Sequence, residues 1–424
     1  MRKKQRIVVT GIGPISSLGI GRSETWRGLL KGDVGLELVT NKYGNYEFAK
    51  FYLHKIRNFN LNDFKLDANV LNYINAWKQG NVSYDLLVML AATKLAIHDA
   101  KLDYRKVQDS LALVVAHENI CLEDLLKETF DFVYYDKAFD NMRLKRLYNK
   151  IVRTAYETQT FMLLFHIARV FGIHKYSLCV NNACASGLYA LEVASDMIKL
   201  GKASRVIVVA GDCPNVFKYL WFKNLGMYKD DGKIEPFSKN SYGLVMGEGA
   251  AALILEDYTV AMKRHARIYG EYIGSGFRLE SWKVTVPNIS ENYLQYAIEE
   301  ALTNSKIKAA NVDLICAHGV GTQLSDKYEA TAIKEIFAKW NVPVVCFKPY
   351  IGHNLGGSSL IEVALLMLCL QNDFVPPILN THNEMGRMDI NLVTQRINSK
   401  LSIVLKICCA FAGYSAATIF RKIE

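Results

Sequence analysis

The sequence alternates short apolar runs with longer segments of helical periodicity along most of its length. Residues 111–116 and 205–212 are apolar runs of strand length, whereas residues 83–99 repeat apolar side chains at three- and four-residue spacing. Buried strands separated by helices are typical of sheets covered by helices. We therefore predict an α/β fold with buried sheets.

The same pattern extends into the second half of the chain. Further strands are predicted at 7–10, 249–255, 267–276, 312–317, 343–347 and 402–409, with one more in the apolar run that ends at 178–180. Further helices are predicted at 161–174, 291–304, 325–339 and 356–370, with another near the N-terminus capped by Ser23. Residues 32–75 look irregular, and residues 119–160 look helical and charged. No Pro-, Gly- or Ser-rich linker separates the halves, which we expect to pack as one body.

Composition limits the class of protein. The chain has 424 residues, half of them hydrophobic, which is enough for a large core, and it has no low-complexity tract. Its nine cysteines lie mostly in apolar runs, as reduced core residues do, and none has the spacing of a zinc site. We predict neither a disulfide framework nor a metal site.

The net charge of +10 comes from dispersed residues without a nucleic-acid motif. This pattern favours an acidic protein partner, or no special partner, over nucleic acid. The basic N-terminus lacks the features of a signal peptide, and the apolar stretch 360–370 is interrupted by Glu362 and reads as a core helix. We expect a cytoplasmic protein that does not span a membrane.

Cys184 lies between the apolar run that ends at Val180 and a helical segment that begins near Ser186. A thiol at the N-terminal end of a helix sees the positive end of the peptide dipoles, which lowers its pKa and favours the reactive thiolate. The small neighbours of Cys184 would let a bulky substrate reach the sulfur. Local sequence alone leaves open whether Cys184 is a nucleophile or a buried core residue.

Two histidines follow other apolar runs. His318 comes after residues 312–317 and precedes two glycines that allow a tight turn, and His353 ends the segment 348–353. Catalytic groups of α/β folds lie at such strand ends. Each histidine alone could equally be a structural turn residue, but with Cys184 they form a candidate catalytic set.

The ordered combination of motifs resembles the elongating β-ketoacyl-acyl-carrier-protein synthases of the thiolase superfamily, which include ketosynthase II-like enzymes and type II polyketide ketosynthase subunits. The matching segments are Ala183-Cys184-Ala185-Ser186-Gly187, HGVGTQLSDKYE at 318–329, Lys348 with His353, Pro376-Pro377 and Phe411-Ala412-Gly413. A plain thiolase would use a second cysteine, and an initiating synthase would have asparagine in place of His353.

The resemblance implies a thiolase fold, in which two similar halves form five α/β/α/β/α layers, and a dimeric assembly. Residues 1–256 would form the half with the nucleophile, and residues 257–424 the half with the two histidines. No cofactor is implied beyond the phosphopantetheine carried by acyl carrier protein, the expected partner. The dimer could be a homodimer or a heterodimer with a ketosynthase-like chain-length subunit.

The resemblance also implies a mechanism. Cys184 attacks an acyl thioester to give an acyl-enzyme, and backbone N–H groups of Cys184 and Phe411 stabilise the oxyanion. His318 and His353 hold the carbonyl of a malonyl thioester while CO2 leaves, and the resulting carbanion attacks the acyl group. Lys348 would anchor and polarise the histidine pair.

Other matched residues would support the site. A Lys348–Glu329 charge pair would fix the turn, and Asp326 and Glu362 match acidic positions near the reacting groups. A buried structural ion pair is the alternative for each of these two acids. Thr322 would contact the pantetheine arm, or else cap a helix.

The sequence departs from the family near its end. Phe411 matches an aromatic gate between the nucleophile and the malonyl pocket, although a core aromatic is the alternative. Ala410 and Ala412 replace glycines, which would restrict positive φ and stiffen the gate. Tyr414-Ser415 looks more like a type II polyketide ketosynthase, and Val320 replaces a hydroxyl residue expected at the pantetheine.

Carrier docking also departs from the family. Residues 67–79 contain only Lys78 as a basic residue, whereas relatives cluster Lys and Arg there. Lys223, Lys229 and Lys233 are candidate replacements for docking the carrier protein.

These departures favour a β-ketoacyl-acyl-carrier-protein synthase that catalyses decarboxylative Claisen condensation in a dedicated type II polyketide or specialised fatty-acid pathway. A housekeeping fatty-acid elongation synthase is one alternative. A non-catalytic chain-length-determining subunit is another, but such subunits have lost the cysteine, so Cys184 argues against it.

Overall fold

The computed structural model describes residues 5–43, 46–77, 82–118, 141–239, 241–381 and 388–423. The strands are β1 (Ile7–Ser16), β2 (Gly19–Ile20), β3 (Leu36–Tyr43), β4 (Tyr46–His54), β5 (Leu111–Ala116), β6 (Ser177–Val180), β7 (Arg205–Asp212), β8 (Gly249–Asp257), β9 (Gly270–Leu279), β10 (Leu314–Cys316), β11 (Pro343–Val345), β12 (Phe374–Val375), β13 (Asn391–Leu392), β14 (Ile397–Asn398), β15 (Ile403–Cys409) and β16 (Tyr414–Arg421).

The helices are α1 (Gly21–Lys31), α2 (Ala68–Trp77), α3 (Tyr84–Asp99), α4 (Asn141–Glu157), α5 (Thr160–Phe171), α6 (Ser186–Lys199), α7 (Val216–Asn224), α8 (Tyr258–Lys263), α9 (Tyr293–Ser305), α10 (Gln323–Phe337), α11 (Lys348–Ile351) and α12 (Ser358–Asn372). The predictions for Lys78 and for residues 119–140 lie outside the described residues.

Within the described chain, one continuous sheet runs in the order β13-β11-β10-β15-β16-β9-β1-β8-β7-β5-β6, with β2 paired to β1. The first half contributes β6-β5-β7-β8-β1, and the second half repeats this order as β11-β10-β15-β16-β9. In each half, the pairs at the outer end are parallel and those nearer the centre are antiparallel. The halves join where β1 pairs with β9 over three residues. Two similar halves, as the resemblance implied, are therefore present.

The helices complete five layers. On the outside, α3 packs on β1, β7 and β8, and α9 packs on β9 and β16. Between the half-sheets lie α6 and α12, which contact each other and strands of both halves. This α/β/α/β/α arrangement is the predicted thiolase fold.

The helix α12 is the centre of the molecule. In the described chain, Leu355–Asn372 is the one stretch long and apolar enough to cross a membrane, and 89% of it is buried inside the fold. The prediction of a core helix at this position is confirmed. Gly187 on α6 lets the two central helices meet, because a Cβ there would lie 2.6 Å from the backbone nitrogen of Leu360.

The structure corrects several predicted elements. Ser23 lies inside α1 and does not cap it, since Ile20 holds the cap position without a side-chain hydrogen bond. Residues 32–75 are not irregular but contain the β3–β4 hairpin and α2. Neither α7 nor β16 was predicted. Small residues such as Ala416 and Ala417 have low strand propensity, so the sequence does not indicate β16. The strand forms because β9 and β15 pair with it on both sides.

Candidate active site

Cys184 lies in the turn between β6 and α6, as predicted. The turn is tight: Ala183 has a φ of 49°, and the Asn182 N–H donates to the Ser186 hydroxyl at 2.8 Å. This places the thiol at the positive end of α6. The side chain is nevertheless enclosed, with Cys184 only 3% exposed.

The protonation of Cys184 differs from the prediction. Burial raises the pKa of the thiol well above its usual range, and the nearby Glu118 carboxylate raises it further. Lys348 and Lys218 act in the opposite direction. The expectation that the helix end would favour the thiolate is therefore wrong for the resting protein, since desolvation of the charged form outweighs the helix dipole.

The two predicted histidines face each other across the site. Their rings lie edge to face, with centroids 5.5 Å apart and an interplanar angle of 85°. His318 follows β10, and Gly319 and Gly321 in its turn have φ values of 52° and 84°. His353 follows Gly352, whose φ is 70°. The predicted tight turns after these strands are thus present, in the left-handed region that favours glycine.

Hydrogen bonds select the same tautomer in both rings. His318 Nδ1 lies 3.2 Å from Lys348 Nζ, which can only donate, and His353 Nδ1 accepts from the Leu355 N–H at 3.2 Å. Each Nε2 therefore carries the proton, and no described residue accepts from either Nε2–H. Burial and then Lys348 lower the pKa of both histidines well below its usual value. The site thus holds two neutral imidazoles, each with one N–H to offer.

A buried cluster of charges supports His318. Lys348 Nζ donates to the His318 carbonyl at 2.8 Å and to Glu362 Oε1 at 2.6 Å. Lys406 Nζ lies 2.7 Å from Glu362 Oε2, an ion pair whose angle is unfavourable for a hydrogen bond. All three charged side chains are fully buried. The predicted Lys348–Glu329 pair is therefore wrong: Lys348 pairs with Glu362, and it contacts His318 but not His353.

Glu329 and Asp326 hold the backbone instead of a cation. Glu329 accepts the N–H groups of His318 and Gly319, the latter at 2.8 Å. Asp326 accepts from Gly321 N–H and, at 2.7 Å each, from Phe237 N–H and the Ser241 hydroxyl. Burial raises the pKa of Glu329 to about 7 and that of Asp326 to about 6.

These acids thus fix the turn that carries His318. A buried ion pair was the alternative considered for both Asp326 and Glu362. Within the described part of the chain Asp326 forms none, whereas Glu362 pairs with Lys348.

One cavity, partly open to solvent, brings the predicted groups together. Its walls include Cys184, His318, His353, Thr322, Val320, Phe222, Met227, Phe411 and Tyr414. Thr322 holds the N-cap position of α10 without a side-chain cap, and its buried hydroxyl has no partner among the described residues. Thr322 thus occupies the cap position, but its side chain does not cap the helix, so the alternative role as a threonine cap is wrong.

Comparison with known proteins places this site in a family. The family model "Beta-ketoacyl synthase, N-terminal domain" matches residues 4–261, and "Beta-ketoacyl synthase, C-terminal domain" matches residues 269–382. The chain belongs to the beta-ketoacyl synthase family.

Relatives of this beta-ketoacyl synthase come from two kinds of pathway. It is similar to 3-oxoacyl-[acyl-carrier-protein] synthase 2 of Synechocystis, at 27% identity over 100% of this chain and 99% of the relative. It is also similar, at 25% identity over 99% of each chain, to a Streptomyces virginiae protein named polyketide beta-ketoacyl synthase 1. The solved ishigamide ketosynthase/chain length factor shares the fold, with a TM-score of 0.85 at 24% identity over all of both chains.

Phe411 of this synthase is part of an aromatic contact at the cavity wall. Its ring meets Trp221 at 5.3 Å between centroids and Phe222 at 5.9 Å. The neighbouring Ala412, one of the alanines expected to restrict positive φ, has a φ of 60°. Its N–H donates to the Val284 carbonyl at 2.7 Å, which helps to hold the loop in this conformation. The left-handed alanine costs about 1 kcal/mol.

Sequence reasoning missed a buried polar cluster behind the nucleophile. His117 Nε2 lies 2.9 Å from Asp85 and 3.4 Å from Asp212. Burial alone would lower the pKa of His117, but these two carboxylates raise it above its usual value. Asp212 also accepts the N–H groups of Glu118 and of Gly357, the latter at 3.1 Å.

The carboxylates of this cluster thus accept hydrogen bonds from the His117 ring and from backbone N–H groups, and the three side chains also lie close enough together to hold a metal ion. The sequence signal for this cluster was the polar pair His117-Glu118, which directly follows β5.

The candidate docking lysines are partly neutralised. Lys223 pairs with Asp230, and Lys229 pairs with Glu235 at 2.6 Å, whereas Lys233 is exposed. A surface that attracts an acidic carrier needs unpaired positive charge. This makes Lys233 the strongest of the three candidates.

Proposed function

We propose that this protein is a β-ketoacyl-acyl-carrier-protein synthase that joins a malonyl thioester to a Cys184-bound acyl chain with loss of CO2. The observation that supports this reaction is the cavity whose walls bring the Cys184 thiol together with two neutral imidazoles. A nucleophile explains the thiol, and an enolate formed by decarboxylation explains two N–H donors that face the same space. No cofactor is needed beyond the phosphopantetheine of the carrier.

The first half-reaction loads the enzyme. The Cys184 sulfur attacks the thioester carbonyl of the acyl carrier, the bond to the carrier sulfur breaks, and the carrier thiol leaves with the proton. Backbone N–H groups of Cys184 and Phe411 stabilise the oxyanion. The unpartnered Thr322 hydroxyl is placed to hydrogen-bond the pantetheine arm.

The second half-reaction makes the carbon–carbon bond. The Nε2–H groups of His318 and His353 donate to the thioester oxygen of the malonyl group, which stabilises the enolate formed as CO2 leaves. The enolate carbon attacks the acyl-Cys184 carbonyl, and the cysteine sulfur leaves and takes a proton. Lys348 holds His318 in the tautomer whose Nε2 carries the proton. Because both rings are neutral, they donate hydrogen bonds to the thioester oxygen without forming a competing ionic bond to the malonyl carboxylate.

Replacing His318 or His353 by alanine separates the half-reactions. We expect each variant to lose malonyl decarboxylation by about a hundredfold or more, because one of two preorganised donors is gone. Loading of Cys184 should stay within about threefold of the parent, since attack by the thiol does not use these donors. Release of CO2 from malonyl-carrier and intact-mass measurement of the acyl-enzyme check the two steps separately. Equal losses in both steps would contradict this division of roles.

We further propose a dedicated type II polyketide or specialised fatty-acid pathway. Support comes from Val320 at the cavity wall, from the left-handed Ala412 next to Phe411, and from a relative in Streptomyces named for polyketide synthesis. The same proposal includes a cytoplasmic location and acyl carrier protein as the partner. It also includes a homodimer, or a heterodimer with a chain-length subunit, and a boundary between the two halves at residues 256 and 257.

Growth complementation tests the pathway. In a bacterial strain that lacks its elongating fatty-acid synthase, we expect this chain not to restore growth, while a housekeeping synthase expressed at the same level does. The physical reason is that residues 67–79 lack the cluster of basic residues that the family resemblance leads us to expect for carrier docking. Rescue to parental growth would favour the housekeeping alternative.

A further inference from the structure

Two charged side chains that the mechanism does not use lie beside the nucleophile: Glu118 contacts the thiol, and Lys218 contacts Glu118. The Cys184 thiol donates to Glu118 Oε2 at 3.9 Å, and Lys218 Nζ donates to Glu118 Oε1 at 3.4 Å. Both charged side chains are largely shielded, with 11% of Glu118 and 22% of Lys218 exposed. At such distances from a buried thiol, charges act with little screening by solvent.

Glu118 is held in this position by the fold. It directly follows His117 at the end of β5, and its N–H donates to the Asp212 carboxylate at 3.3 Å. Lys218 lies on α7, where its ammonium group also lies 5.4 Å from the centre of the Trp221 ring. Two parts of the fold, the end of β5 and the helix α7, therefore hold the Glu118 carboxylate at the thiol, and the contact does not depend on one flexible side chain.

We propose that Glu118 and Lys218 are an opposed pair of charges that controls the ionisation of Cys184 and keeps it a thiol in the resting enzyme. This inference rests on the proposed role of Cys184 as the nucleophile. The carboxylate accepts the thiol proton in a hydrogen bond and repels a thiolate, while the ammonium group favours the thiolate. Glu118 is thus a positioning residue that contacts the nucleophile and restrains it until a substrate arrives.

Other groups also face the thiol. Lys348 on α11 favours the thiolate, Cys408 on β15 disfavours it, and the imidazoles of His318 and His353 are neutral. None of these others accepts a hydrogen bond from the Cys184 sulfur. The resting state of the thiol should therefore respond most to Glu118, with Lys218 acting in the opposite direction.

The test measures the pH at which Cys184 becomes reactive. Full-length protein is treated with iodoacetamide from about pH 6 to about pH 10, and mass spectrometry follows alkylation of the Cys184 peptide. We expect Glu118→Gln to lower the midpoint pH by about one unit or more, which makes alkylation near neutral pH about tenfold faster. Lys218→Met should raise the midpoint, so the two variants shift it in opposite directions.

A second ion pair provides matched controls. Asp196 and Lys199 pair at 3.3 Å at the far end of α6, the helix that Cys184 precedes. Asp196→Asn and Lys199→Met should leave the midpoint within about 0.2 units of the parent, because about 20 Å of helix separates them from the thiol. A midpoint that Glu118→Gln leaves unmoved or raises, in a variant with parental thermal stability, would overturn the proposal.

The same samples separate this inference from the proposed function. If the parent enzyme is not acylated at Cys184 by an acyl carrier, the proposed function fails, but the midpoints still report the effect of the charge pair. If the parent is acylated and the midpoint of Glu118→Gln equals that of the parent, only the inference about Glu118 fails.

Discussion

Cys184→Ala is expected to abolish acyl-enzyme formation and to lower condensation by about a thousandfold or more. The cavity gives the reason: among its wall residues, Cys184 is the thiol at a helix N-terminus and faces the two imidazoles. Intact-mass measurement after incubation with an acyl carrier should find the parent heavier by one acyl group and the variant unchanged. Malonyl decarboxylation should persist in the variant, since the donors of His318 and His353 remain.

Cys179→Ala is the matched control. This residue lies on β6, the strand that leads to the nucleophile, and its side chain is exposed. Its alanine variant should be acylated and should condense like the parent. Acylation that persists in Cys184→Ala would assign the nucleophile to another residue, and parental condensation without any acyl-enzyme would revive a role that does not use covalent catalysis.

Much of the fold was predictable because its strands are buried on both faces. The strand β5 was predicted to the residue, since six consecutive apolar side chains leave no polar face for a helix. The elements that escaped prediction depend on neighbours. The hairpin of β3 and β4 mixes apolar, aromatic and charged residues without a regular alternation. The strand β16 consists largely of small residues, which form a strand because both of its edges are paired.

The location of the candidate site was also predictable, but its electrostatics were not. Cys184, His318 and His353 each follow a strand, the position where α/β folds carry catalytic groups. The strands β6 and β10 nevertheless lie near opposite ends of the sheet, and the packing of the two halves on α6 and α12 brings the three residues to one cavity. The partner of Lys348 could not be predicted from the sequence, because Glu329 and Glu362 are both acids at a suitable spacing. Only the packing of α12 between the half-sheets brings Glu362 within 2.6 Å.

Burial explains the rest of the difference. The effect of the helix end on Cys184 is local and can be inferred from sequence, whereas desolvation depends on how completely other elements cover the sulfur. The contact between Glu118 and the thiol could not be predicted from the sequence either, since it joins residues 66 positions apart.

Glu362→Gln is expected to lower the free energy of unfolding by about 3–5 kcal/mol. The carboxylate of Glu362 lies between the ammonium groups of Lys348 and Lys406, and all three side chains have no solvent exposure. Removing its charge leaves two buried cations with no carboxylate between them. Burial alone would lower the pKa of Lys406, but the Cys316 thiol and the Glu362 carboxylate raise it above its usual value, so this lysine is charged in the fold. Urea denaturation followed by circular dichroism measures the loss.

A second substitution should restore part of this stability. Lys406→Met removes one cation and leaves the Lys348–Glu362 pair intact, so alone it should cost less than Glu362→Gln. The double variant Glu362→Gln/Lys406→Met contains one buried cation instead of two, and we expect it to be more stable than Glu362→Gln by about 1–2 kcal/mol. Strictly additive losses would mean that Lys406 and Glu362 do not interact. A coupled response would identify Lys406, which the sequence presents only as a lone lysine in an apolar strand, as the residue that balances the charge beneath His318.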